Sequence, residues 1–64
     1  MQFPEAVIAM KRGLLVRRTV WAETLVLALD DGVFRRYSPE HKQYLPYAFS
    51  SEDVLGTDWQ VADL

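Results

Sequence analysis

Two strand-like runs meet at the dipeptide Asp31-Gly32, and this junction constrains the fold more than any other feature of the sequence. Asp-Gly is among the strongest signals of a two-residue hairpin turn, because both turn positions require a positive φ angle. Residues 25–30 are apolar on both alternating faces, which predicts a central or covered strand, although a leucine-rich run can also form a helix. With the strand-like run at 33–37, the junction predicts an antiparallel hairpin in the middle of the chain.

The N-terminal segment has the pattern of an amphipathic helix. An apolar stripe at helical spacing is formed by Phe3, Ala6, Val7 and Met10. Pro4 suits the first helical turn, where its missing N–H leaves no hydrogen bond unmade. Gly13 suits the left-handed residue that commonly ends a helix. The sequence therefore predicts a helix over residues 4–12.

Two further segments have strand character. Residues 14–18 alternate as a strand does, so the adjacent arginines Arg17 and Arg18 must point to opposite faces. Residues 43–50 predict another strand. Pro46 lies within it and cannot donate to a sheet ladder, so this strand is expected at an edge or with a bulge.

The C-terminal end combines a capped helical turn with a final strand. Ser50 and Asp53 have the spacing of a capping box, in which each side chain bonds the other residue's backbone N–H, and Ser51 is an alternative N-cap. This pattern predicts a short helix over residues 51–55, with Gly56 ending it. A last strand is expected over 59–62, and its first residue, a tryptophan, is expected to fill the core.

These elements predict one domain, residues 1–64, of the α+β class. The expected architecture is an N-terminal helix packed on a small antiparallel, strongly bent sheet, with a short C-terminal helical turn and a final strand. The chain has no cysteine, which excludes disulfides and thiolate metal sites. Because domains this small often need an additional constraint, we expect a homo-oligomer. No cofactor is predicted.

The charges are unevenly distributed along the chain. Residues 1–42 hold all seven basic and five acidic side chains, a net +2, and residues 43–64 hold the other four acidic ones, a net −4. This asymmetry indicates either an anion-binding face or a solvated surface with internal ion pairs. The overall charge of −2 argues against general binding of nucleic acid.

Several function classes are not supported by the sequence. No apolar run is long enough to cross a bilayer, and the N-terminus lacks the basic segment of a signal peptide, so a cytoplasmic protein is expected. There is no nucleophile–histidine–acid set and no glycine-rich phosphate loop, and the single histidine, His41, lies in a polar segment. The chain is therefore predicted to bind a partner rather than to act as an enzyme.

Residues at both ends of the chain form an ordered pattern. At the N-terminal end they are Phe3, Ala6, Lys11, Gly13, Val16, Arg18 and Trp21, and at the C-terminal end Pro46, Ser50, Asp53, Leu55, Asp58 and Trp59. In this pattern the chain resembles the second Thoeris anti-defence family, which is encoded by phages. It departs from the family at Tyr47, where tryptophan is usual, at Gly56, where alanine is usual, and in a shorter segment before Pro46.

The resemblance implies a function. Proteins of this family form homo-oligomers, often tetramers, and act in the host cytoplasm by sequestering cyclic nucleotide immune signals without cleaving them. The signals are cyclised ADP-ribose isomers and, for some members, cyclic dinucleotides. A similar protein is an inhibitor of Cas9, so the alternative from a different class is a protein-binding inhibitor of a host defence enzyme.

A nucleotide-binding protein needs cations for phosphates, aromatic rings for bases and polar groups for base or ribose edges. Arg18 and Arg36 can supply the cations. Trp21 and Tyr47 can supply the aromatic rings. Ser50 and Asp53 can supply the polar groups. Some of them also have a purely structural interpretation, because a tryptophan is often part of the core and an aspartate at this spacing can serve only as a helix cap. We predict all six as ligand contacts.

Overall fold

The fold of residues 1–62 consists of two helices and five strands. In a computed structural model, which describes residues 1–62, the elements are α1 (Phe3–Lys11), β1 (Val16–Arg18), β2 (Leu27–Asp30), β3 (Val33–Ser38), β4 (Gln43–Pro46), α2 (Ser51–Leu55) and β5 (Trp59–Val61). The strands form one antiparallel sheet in the order β4-β3-β2-β1-β5. The predicted α+β class is confirmed.

The hairpin of β2 and β3 forms as predicted. Asp31 and Gly32 have φ angles of 50° and 77°, and the register pairs Leu29 with Phe34. Strand β2 lies at the centre of the five-stranded sheet, as predicted. It begins at Leu27 instead of residue 25, because the preceding backbone N–H groups bond back to Ala22 and Thr24 in a turn.

The helix predicted over 4–12 is α1, displaced by one residue at each end. The Glu5 carboxylate accepts a hydrogen bond from the Gln2 backbone N–H at 3.0 Å, which fixes the first turn. Gly13 has a φ of 86° directly after the helix end, as the sequence predicts. Ala6, Ala9 and Met10 are buried against the sheet, whereas Phe3 and Val7 pack at the margin of the core.

The outer strands are shorter than the sequence patterns. The run at 14–18 forms a strand only from Val16, and the run at 43–50 ends as a strand at Pro46. Strand β4 is an edge strand, as expected from its proline. Residues 47–50 leave the sheet and lead into α2, after the Tyr47 N–H has bonded the Phe34 carbonyl at 2.9 Å.

Trp59 closes the core from the C-terminal end, as predicted. Its side chain is buried, and its ring packs edge-on against Trp21, with the ring centroids 5.4 Å apart. The indole N–H donates to the Asp53 carbonyl at 2.9 Å, so the polar atom of the ring is satisfied. The backbone of Trp59 also exchanges two hydrogen bonds with Met1, which joins the two ends of the chain.

The two faces of the sheet have different surroundings. Val16, Leu27 and Trp59 point to the face on which α1 packs, and α2 is bonded to the same side through Trp59. Alternate residues point to the opposite face, which neither helix covers. Among residues 1–62, no helix is long and apolar enough to cross a membrane.

Candidate functional site

The six predicted site residues lie in one continuous set of contacts on the helix-packed side of the sheet. They come from four different places in the chain: β1 and the turn after it, β3, the segment after β4, and the start of α2. The members are Arg18, Trp21, Arg36, Tyr47, Ser50 and Asp53. The fold therefore brings together residues up to 35 positions apart.

The partly exposed members of this set are Arg36 and the two aromatic rings that its guanidinium contacts, those of Trp21 and Tyr47. The guanidinium carbon of Arg36 lies 4.5 Å from the ring centroid of Tyr47 and 5.1 Å from that of Trp21. The two rings meet edge to face, with centroids 5.7 Å apart. Each cation–π contact at such a half-exposed position contributes about 0.5–1 kcal/mol. We call these three residues the Arg36 stack.

The guanidinium of Arg36 retains its capacity to bind an anion. Within residues 1–62 it makes no hydrogen bond and no ion pair, so its N–H groups remain available to an anion. Arg36 and Tyr47 line an open cavity of about 280 Å³. The other lining residues are Leu25, Tyr37, Ser38, Pro39, Glu40, Leu45 and Pro46. The cavity thus combines one available cation with the ring of Tyr47. Tyr37 follows Arg36 in β3, so its ring points to the opposite face, where it packs against Tyr44.

Asp53 supports the Arg36 stack through a hydrogen bond with the Tyr47 hydroxyl. Its buried carboxylate accepts the Tyr47 hydroxyl at 2.5 Å and the Ser50 N–H at 3.2 Å on Oδ2, and an Arg18 N–H at 3.1 Å on Oδ1. The Ser50 hydroxyl in turn accepts the Asp53 N–H at 3.2 Å, which confirms the predicted capping box. Burial raises the pKa of Asp53, but the hydrogen bonds from Tyr47, Ser50 and Arg18 together outweigh it and hold the pKa below its ordinary value.

Tyr47 joins the buried carboxylate to the exposed cation. Burial of its hydroxyl, helped by the hydrogen bond to Asp53, raises the pKa of Tyr47 to about 12. The phenol therefore stays protonated and donates to Asp53 at neutral pH. Its ring is fixed in the position that supports Arg36 and lines the cavity.

Arg18 is occupied by carboxylates of the same chain. Its side chain is 7% exposed, and both Nε and Nη2 bond Asp58 Oδ1, at 3.0 and 2.8 Å. Nη1 bonds Asp53 at 3.1 Å and reaches Glu52 at 3.4 Å. These contacts raise the pKa of Arg18, first through the Asp58 hydrogen bond. Arg18 therefore holds Asp53, and within residues 1–62 all three of its guanidinium nitrogens are paired with carboxylates.

Asp58, the principal partner of Arg18, was not among the site residues predicted from the sequence. The hydrogen bonds from Arg18 lower the pKa of Asp58 to about 2, and the Thr19 hydroxyl adds another donor at 3.0 Å. The only sequence signal was its position directly before Trp59 in the C-terminal pattern. Its partner lies 40 residues away, so no local rule links the two.

Gly56 provides the space that the Arg18 network occupies. A Cβ atom at this position would lie 2.9 Å from Arg18 Nη2, 3.1 Å from Arg18 Cζ and 3.0 Å from Asp58 Oδ1. The φ of Gly56 is −66°, which any residue can adopt. The glycine is therefore needed for room beside the guanidinium and not for its backbone conformation.

Groups for metal binding or covalent chemistry are sparse near this site. In residues 1–62, no cluster of three or more histidine, cysteine, aspartate or glutamate side chains is placed to hold a metal ion. His41 Nδ1 lies 3.0 Å from the Ser38 hydroxyl in an exposed turn, and the same hydroxyl accepts the His41 backbone N–H at 3.4 Å. This pair therefore has the geometry of a side-chain-stabilised turn.

Comparison with known proteins tests the family resemblance of the sequence. A comparison with curated proteins finds no match. A family model does match, and it spans residues 1–62, including both ends and the whole of the site. The chain therefore belongs to the Tad2-like family, the Thoeris anti-defense 2-like domain.

Proposed function

We propose that this chain binds an anionic cyclic nucleotide that serves as a bacterial immune signal, and that it sequesters the signal without cleaving it. Membership of the Thoeris anti-defense 2-like family supports the biological setting. The observation that carries the ligand proposal is the Arg36 stack: a guanidinium fixed by two rings, with its N–H groups available beside a cavity.

The chemistry of the cavity suits a nucleotide. Arg36 can donate two parallel N–H groups to a phosphate, and this geometry binds phosphates strongly. Tyr47 lines the same cavity and offers aromatic surface to a base, and a base–aromatic stack contributes about 1–3 kcal/mol. Ser38 and Glu40 provide polar atoms for ribose or base edges.

The remaining predicted residues support this platform in our proposal. Ser50 and Asp53 fix the Tyr47 hydroxyl, and Arg18 holds Asp53 in place. Trp21 contacts the Arg36 guanidinium but is not among the residues that line the cavity. We therefore assign direct ligand contact to Arg36 and Tyr47, and positioning of those two residues to the other four.

A single copy of the chain offers only part of a nucleotide pocket. The cavity of about 280 Å³ is at the lower limit of small-molecule pockets, which span about 300–1,000 Å³. We propose that a second copy closes it and that the active form is a symmetric dimer or tetramer in the host cytoplasm. In such an assembly the ligand leaves slowly, and retention alone removes it from the host effector.

Titration calorimetry with cyclic ADP-ribose isomers and cyclic dinucleotides tests the proposal. We expect saturable binding of at least one of them, and recovery of the intact ligand after the protein is heat-denatured. Light scattering on the same sample is expected to report a dimer or tetramer. Absence of heat with every ligand at high protein concentration would refute sequestration, recovery of a cleaved ligand would refute binding without cleavage, and a stable monomer would refute the closed pocket.

A further inference from the structure

The uncovered face of the sheet contains a second cavity. Consecutive residues of a strand point to opposite faces, so Arg35 lies on this face and Arg36 on the helix-packed one. The cavity measures about 360 Å³ and is lined by Leu15, Ala28, Leu29, Asp30, Arg35 and Tyr44. It shares no lining residue with the cavity of the Arg36 stack.

The Nε–H group of Arg35 is a buried hydrogen-bond donor that lacks an acceptor among residues 1–62. The nearest carboxylate oxygen, Oδ2 of Asp30, lies 3.9 Å away, which is beyond hydrogen-bond length. The Asp30 side chain is 76% exposed and is therefore mainly solvated. Folded proteins leave few buried donors unsatisfied, so this N–H is available to an acceptor that residues 1–62 do not supply.

We propose that this cavity is a binding site for a small organic anion, with a carboxylate or phosphate ester on Arg35. The Arg35 side chain is 35% exposed, so its Nη–H groups can pair with an oxygen of such a group, and a small movement of the side chain would bring the Nε–H into the same planar fork. Leu15, Ala28 and the half-exposed ring of Tyr44 provide apolar surface for the body of the ligand. The lining holds two charged residues, Arg35 and the largely solvated Asp30, and a mainly apolar lining with a few charged groups is typical of small-molecule sites.

Arg17 provides a matched control on the same face. It lies on strand β1, which β2 separates from β3, and its Nε–H is also buried without an acceptor in the described part of the chain. Its Nη2, however, donates to the Trp21 carbonyl, and its side chain does not line the cavity. A conservative change at Arg17 therefore alters the same chemistry outside the proposed site.

The test is an NMR titration that follows arginine Nε–H signals, with benzoate and phenyl phosphate as probes. We expect the Arg35 signal to shift saturably with at least one probe at millimolar concentration, while the Arg36→Ala variant behaves as the wild type. Arg35→Lys keeps the charge but has no Nε–H, so it should weaken binding at least tenfold. Arg17→Lys should leave affinity unchanged, and Asp30→Asn should increase it because a nearby negative charge is removed.

The possible results distinguish an anion site from a contact between copies of the chain. Binding of phenyl phosphate alone assigns a phosphate ligand, and binding of benzoate alone assigns a carboxylate; both support the site. No saturable shift with either probe, or equal affinity in Arg35→Lys, would overturn it. An Arg35 Nε–H signal that shifts with protein concentration and not with the probe would also overturn the proposal, because this face of the sheet would then be a contact between copies of the chain. Loss of the Arg35 response in Arg36→Ala would show that the two cavities are not independent and would also overturn it.

Discussion

Arg18 and Arg36 carry the same side chain in opposite electrostatic settings. Arg18 is surrounded by three carboxylates and is buried, so its charge is neutralised within the chain. Arg36 is in contact with rings, which attract its charge without neutralising it. The difference explains why, of two arginines on the same face, we assign ligand binding to one and positioning to the other.

The close approach of Gly56 to Arg18 gives a prediction at the residue scale. Gly56→Ala should lower the free energy of unfolding by about 1–3 kcal/mol, the usual cost of adding a methyl group to a packed site. Urea unfolding followed by tryptophan fluorescence measures it. The control is the same change in an Arg18→Lys background, where the planar group that the methyl would meet is gone and the added cost should shrink. An equal cost in both backgrounds would contradict the steric explanation.

At the scale of the elements, the features that the sequence predicted are local ones. The turn at Asp31-Gly32, the end of α1 at Gly13 and the Ser50–Asp53 cap all depend on residues within three positions of each other. Alternation also predicted that each arginine pair would split between the two faces. It could not say which member faces the helices, because that depends on how β1 pairs with β5.

The contacts that define the site could not be predicted from sequence patterns between neighbouring residues. Arg18 meets Asp58 at a separation of 40 residues, and the Arg36 guanidinium lies over rings from two other segments. The strand predicted over 43–50 ended early because Pro46 cannot continue a ladder and Tyr47 turns toward α2. These features depend on the pairing of distant strands, which a single sequence does not specify.

The cap of α2 gives a prediction at the element scale. Ser50→Ala removes the acceptor for the Asp53 N–H and should lower the free energy of unfolding by about 0.5–2 kcal/mol. The control is Ser51→Ala, at the adjacent exposed position, which should have little effect. Chemical unfolding of the two variants makes the comparison. Equal losses of stability would show that the hydroxyl of Ser50 is not the cap.

At the scale of the whole molecule, one charged network joins the edge of the sheet formed by β1 and β5 to α2. Arg18 in β1 connects Asp58, directly before β5, with Asp53 in α2. Trp59 adds a second connection, through its ring in the core and its backbone bonds to Met1. The residues that support the Arg36 stack are thus also residues that hold the fold together.

This network predicts the acid sensitivity of the protein. The pKa of Asp58 is lowered from 3.8 to about 2 in the folded chain, so its contribution to stability is complete above about pH 4 and is lost as the pH falls toward 2. Asp53, whose pKa is also lowered, contributes in the same direction. Unfolding midpoints measured from about pH 5 to about pH 2 should therefore fall steeply for the wild type.

The variant Asp58→Asn isolates this effect. It should be less stable than the wild type at neutral pH, because Arg18 loses its closest partner. Its stability should also fall less steeply on acidification, since one of the carboxylates that titrate is gone. Parallel curves for the two proteins between about pH 5 and about pH 2 would contradict the role of Asp58.

The most direct test of the central claim compares nucleotide binding by Arg36→Ala and Arg12→Ala. Both variants lose one positive charge, but Arg12 lies exposed at the end of α1, away from the cavity. With the cyclic nucleotide that the wild type binds, calorimetry should show affinity reduced at least tenfold for Arg36→Ala and unchanged for Arg12→Ala. Wild-type affinity in Arg36→Ala, with its fold intact by circular dichroism, would contradict the assignment of this site.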